Sequence, residues 1–73
     1  MTILFGDELF PREVPIEEVN DFPYHYLQVN NYLILFKERN KKYDDLVEFT
    51  ANQGFIYREG KVNSKEELEQ LLN

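Results

Sequence analysis

The chain has 73 residues, with eight Lys and Arg against fourteen Asp and Glu, a formal charge of −6. That balance disfavours a general binder of phosphate backbones or anionic lipid, which would repel it. The absence of Cys excludes disulfides, thiol chemistry and cysteine-ligated metals. The length accommodates one small domain, 1–73. The longest strictly apolar run, Leu33–Phe36, is far short of the ~20 residues that span a bilayer. Asp7 and Glu8 fall where a signal peptide would place its apolar stretch. A soluble, cytoplasmic protein with neither a membrane nor a direct nucleic-acid partner is expected.

In chain order, Thr2–Phe5 suits a short strand that Gly6 and Asp7 can stop. Pro11 and Pro15 break up the next stretch. Pro15 suits the first position of a helical turn through Val19, and Glu17 and Glu18 favour the positive end of its dipole. Asn20, Asp21 and Pro23 read as a loop. The clearest pattern is residues 24–38, where two runs rich in aromatic and β-branched side chains flank Asn30 and Asn31. Asparagine tolerates positive φ, so a hairpin with a two-residue turn is predicted.

Tyr43, Leu46, Val47, Thr50 and Ala51 recur with helical spacing, Asp44 and Asp45 fall in the first turn, and Gly54 comes just after the end. A helix over 43–52 is favoured over a third strand at 43–49, because paired aspartates suit strands poorly. Phe55–Tyr57 reads as a strand, and Glu59-Gly60 as a tight turn toward Lys61-Val62. Ser64 with Glu67 forms a capping box for a helix over 64–72, whose buried stripe is Leu68, Leu71 and Leu72. The expected fold is α+β: a small antiparallel sheet built around the hairpin, with two short helices.

Catalytic motifs are sparse. Ser64 is explained as a cap, Thr50 lies on an apolar stripe, and His25 sits between two tyrosines without companion ligands. Three of the four adjacent acid pairs fall at helix starts, where the dipole accounts for them. The three glycines, Gly6, Gly54 and Gly60, form no phosphate loop. The basic run Lys37–Lys42 suits a solvated loop. The expectation is no enzyme, no cofactor and no metal.

One surface asks for a partner. A turn at Asn30-Asn31 puts His25, Leu27, Val29, Tyr32, Ile34 and Phe36 on one hairpin face, and Tyr24, Tyr26, Gln28, Leu33, Leu35 and Lys37 on the other. Both faces are apolar. Leaving a Leu or Phe exposed forgoes about 1.5–3 kcal/mol. The two helices have stripes for one face. The second is covered by the N-terminal segment (Ile3, Leu4, Phe5, Leu9, Phe10), or by another chain. In the latter case Tyr24, Tyr26, Gln28, Leu33 and Leu35 form a protein-binding face, rimmed by Glu17, Glu18 and Asp21. The function expected is a small acidic protein-interaction module: a regulator, inhibitor or accessory subunit of the kind common on phages and mobile elements, docking on another protein or on a second copy of itself. The alternative is an acidic nucleic-acid mimic that blocks a basic cleft, suggested by six carboxylates against Arg12 alone in residues 1–22.

Overall fold

The computed structural model describes residues 1–73. Five strands form one sheet: β1 (Thr2–Phe5), β2 (Glu13–Val14), β3 (Tyr24–Val29), β4 (Tyr32–Phe36) and β5 (Tyr57–Val62). Their order is β2-β1-β4-β3-β5. Two helices, α1 (Lys41–Asn52) and α2 (Lys65–Leu72), complete an α+β fold, as expected from the sequence. The sheet is mixed, because β1 runs parallel to β4 while every other pairing is antiparallel.

The hairpin forms in the register expected, with Val29 opposite Tyr32, Leu27 opposite Ile34 and His25 opposite Phe36. Asn30 takes the positive φ (54°). Asn31 does not, so one residue with positive φ suffices at this turn.

Both helices begin where their caps lie. The Asn40 side chain accepts from Tyr43 N–H at 3.0 Å and starts α1. Gly54, with φ of 79°, ends it. Phe55 N–H donates to Thr50 C=O at 3.2 Å, and Gly54 N–H to Ala51 C=O at 3.0 Å, the pair of bonds that defines a Schellman motif. At α2 the Ser64 hydroxyl accepts from Glu67 N–H at 3.2 Å. The Glu67 carboxylate reaches past Ser64 to accept from Asn63 N–H. Pro15 precedes a short 3-10 turn, Ile16–Glu18.

Three local expectations change. The Pro-flanked stretch contributes β2, which pairs with β1 through Ile3–Val14. Phe55 and Ile56 lie in the loop before β5. No turn forms at Glu59-Gly60, and β5 passes through both as an extended strand against β3. Gly60 lacks a Cβ because the Tyr26 ring covers it: a Cβ there would lie 2.9 Å from the Tyr26 hydroxyl.

The two sheet faces are covered separately. On one, Tyr43 of α1 packs with Leu27 and Phe36, flanked by Ile34, Leu46, Val47 and Tyr57. On the other, Leu68 of α2 joins Val14 and Val19 over Ile3, Tyr24, Leu33, Leu35 and Val62. Phe5, Ile16, Phe22, Tyr26, Leu71 and Leu72 close its margin. The helices thus take opposite faces. The segment from Val14 to Phe22 helps cover the second, while Ile3 and Phe5 lie within the sheet and Leu9 and Phe10 stay exposed.

Candidate interaction surface

The residues expected to form a docking face divide by depth. Leu33 and Leu35 are 0% and 1% exposed within the cluster that Val14, Val19 and Leu68 complete, and Tyr24 is buried with them. The Phe5 ring stacks on Tyr24 at 6.0 Å and the Phe22 ring meets it edge-on at 5.4 Å. The Tyr24 hydroxyl donates to Asn20 C=O. Burial, with Asp21 adding to it, raises the Tyr24 pKa. These three residues are core and offer a partner no free surface, because α2 and the 14–22 segment occupy the place reserved for another chain.

The remaining candidates lie nearer the surface. Tyr26 is half-buried with its ring over Gly60. The Gln28 amide nitrogen reaches Met1 Sδ at 3.5 Å, and its buried carbonyl oxygen has no partner. Glu17, Glu18 and Asp21 are exposed. Glu18 lies 3.5 Å from Arg12. The Asp21 carbonyl accepts from the Lys37 ammonium, whose charge also sits 4.6 Å above the Tyr24 ring. Other carboxylates serve structural roles. Asp7 accepts from Lys37 N–H at 2.8 Å and from the Asn40 amide at 2.9 Å, joining the end of β1 to the start of α1. A cleft of about 270 Å³ lies beside it, lined by Phe5, Asp7, Glu8, Asp21, Tyr24, Leu35 and Lys37.

A second cleft contains His25, Arg39, Tyr43, Glu59, Gly60 and Lys61. The Tyr43 hydroxyl is 3.2 Å from both Tyr26 C=O and the Glu59 carboxylate. Burial first, and the Glu59 charge next, push the Tyr43 pKa up to about 12. That holds Tyr43 as a neutral donor, the opposite of what a general base at neutral pH requires. No three His, Cys, Asp or Glu side chains gather as a metal-holding group. No helix is long and apolar enough to cross a membrane.

Apart from Leu9 and Phe10 in the loop after β1, the exposed large apolar side chains fall elsewhere. Met1, Tyr32, Phe49, Phe55 and Ile56 all project at the end of the molecule that carries the Asn30-Asn31 turn. Register brings them there: Thr2 pairs with Tyr32, Val29 with Tyr57, and the Schellman motif turns the chain from α1 into Phe55 and Ile56. Ile56 is 92% exposed and Phe49 57%. Asn30 and Gln28 line a cleft with Ile56 and Tyr57, and Arg58 and the amino terminus of Met1 are the charged groups at this end. The sequence carried a signal for this surface, since neither 28–36 nor 49–57 holds a charged side chain. Reading Phe55 and Ile56 as strand concealed it.

These features define a small α+β domain with a covered sheet and an apolar end built from segments that lack charged side chains. No protein-family model matches the chain, and no solved structure matches it. Over 42 residues, 58% of its length, the chain is 40% identical to DNA ligase 2 of Clostridium acetobutylicum. The matched stretch is 6% of that ligase, so the chain spans a small fraction of its relative.

Proposed function

We propose that the chain is a non-enzymatic protein-interaction module, a regulator, inhibitor or accessory subunit that docks on a partner protein through its apolar end. The observation that carries this reading is the concentration of Phe49, Phe55 and Ile56 at one end of a chain of net charge −6, within a stretch that has no charge of its own. Interface centres are depleted in charge and enriched in aromatic side chains. Leaving such side chains in water forgoes about 1.5–3 kcal/mol each, which docking would recover. Glu17, Glu18 and Asp21 lie outside that patch and contribute to the rate of encounter with a basic partner through long-range attraction.

The nucleic-acid-mimic alternative draws on the same acidic N-terminal third. It requires an ordered stripe of carboxylates with little opposing charge. Arg12 beside Glu18 and Lys37 at Asp21 interrupt such a stripe, and Asp7 is committed to internal hydrogen bonds. The apolar end therefore carries the preferred reading.

A photo-crosslinking side chain placed at Ile56 tests it, with Glu69 on α2 as the control position. The expected result in lysate of the source cells is one protein captured from position 56 and not from 69. Its purified form should lose binding when Phe49 and Ile56 are both replaced by Ser. Equal capture from both positions, or binding indifferent to the replacements, would overturn the reading.

A further inference from the structure

β5 is an edge strand with β3 as its one sheet neighbour. Hydrogen bonds elsewhere in the sheet establish which way its backbone groups point. Thr2 N–H donates to Asn31 C=O at 2.7 Å, and Gly6 N–H to Leu35 C=O at 2.8 Å. Asn31, Leu33 and Leu35 therefore direct their backbone groups toward β1, and Tyr32, Ile34 and Phe36 direct theirs toward β3, because the pointing alternates along a strand. Through the hairpin register, Val29, Leu27 and His25 answer β4, which leaves Gln28, Tyr26 and Tyr24 for β5. Their partners are Arg58, Gly60 and Val62. Tyr57, Glu59 and Lys61 consequently turn their N–H and C=O groups outward.

The side chains on this edge are self-complementary. Glu59 and Lys61 share one face of the sheet and flank Gly60. When two copies pair antiparallel about a twofold axis at Gly60, Glu59 of each copy stands opposite Lys61 of the other. Both pairs fall at positions that exchange N–H···O=C bonds. An axis at Glu59 sets Glu59 against itself, and an axis at Lys61 sets Lys61 against itself. An axis at Arg58 places Glu59 opposite Tyr57. The Gly60 axis alone matches charges.

The chain's own contacts leave both groups available. Lys61 is exposed and in no ion pair within the chain. Glu59 uses Oε1 toward the Tyr43 hydroxyl and, at 3.9 Å, Arg39, which leaves Oε2 free. At the axis, Gly60 offers no side chain where a non-hydrogen-bonded pair brings Cα atoms to about 4.5 Å. Charges on an edge usually repel stray strands. In this register they would select the chain's own copy over others.

From this complementarity we infer that a second copy of the chain pairs along β5, antiparallel about Gly60, joining two five-stranded sheets into one. The surface is distinct from the apolar end, so each reading can fail alone: replacing Phe49 and Ile56 tests the docking end, and replacing Lys61 tests the edge.

Sedimentation equilibrium over rising concentration tests the pairing. The wild-type chain should approach twice its 8.8 kDa mass. Lys61→Glu, an exposed change, should keep the far-UV circular dichroism and weaken dimerisation by about tenfold or more, since it sets Glu opposite Glu in both pairs. Glu59→Lys should form a mixed dimer with Lys61→Glu, and the double swap should restore the homodimer. A wild-type chain still monomeric at about 1 mM, or a Lys61→Glu dimer of undiminished strength, would overturn the inference.

Discussion

The Phe36 ring lies against Gly6 so closely that a Cβ on Gly6 would come within 2.3 Å of ring atom Cζ. The contact lets the end of β1 sit over a fully buried aromatic that also meets Tyr43 edge-on at 5.1 Å. Gly6→Ala must therefore displace core atoms. The expected loss is about 1–3 kcal/mol by urea denaturation. An unchanged midpoint would show that the ring has room to move.

The covered second face makes an opposed pair of predictions. Leu33→Ala should cost about 2–5 kcal/mol, because the residue is wholly enclosed in the cluster built with Val14, Val19 and Leu68. Ile56→Ser should change stability by less than about 0.5 kcal/mol, because its side chain is already in water. Thermal melts of both variants check this. A mild effect at Leu33 would mean that this face is not closed by the cluster of Val14, Val19 and Leu68.

Asp7 joins β1 to the chain entering α1 through two hydrogen bonds. Asp7→Ala should destabilise by about 1–3 kcal/mol, since it removes an ionised acceptor and the tie that orients the Asn40 cap. Amide exchange should show α1 fraying first at Tyr43 and Asp44. Unchanged protection there would assign the cap's orientation to Asn40 alone.

Tyr43 gives a pH signature. Its folded pKa is raised from 10.0 to about 12, so the folded chain holds this proton more tightly than the unfolded one. The associated stability is complete below pH 10 and declines as pH rises toward 12. Tyr24, raised by burial and Asp21, adds to the same decline. Tyr43→Phe should lower stability at neutral pH by about 1 kcal/mol through the lost hydroxyl bonds, and should flatten the alkaline decline. Equal alkaline slopes in the two proteins would contradict this account of Tyr43.

Much of the fold was legible because local chemistry and the tertiary structure agree. Asn30 and Asn31 set the hairpin, Ser64 caps α2, and Gly54 ends α1 with the φ its position requires. β2 was illegible because Glu13 and Val14 owe their strand to β1, not to their Pro-flanked neighbourhood. Glu59-Gly60 resembled a turn, yet the glycine serves the Tyr26 ring within an extended strand. The docking face at Tyr24, Leu33 and Leu35 failed as a surface for a topological reason. The order β2-β1-β4-β3-β5 allows the two helices to cross to opposite sides, which a hairpin viewed alone does not reveal.

The affinity of the purified partner, measured against salt and against Phe49→Ser/Ile56→Ser, tests the docking reading most directly. The account predicts a loss of about thirtyfold or more from the double replacement, as for central interface side chains. It also predicts a fall of less than about tenfold between about 0.05 M and 0.5 M salt, because screening slows the charge-assisted encounter but leaves the apolar contacts intact. Binding that survives the replacement but collapses with salt would contradict it and favour the acidic-mimic alternative.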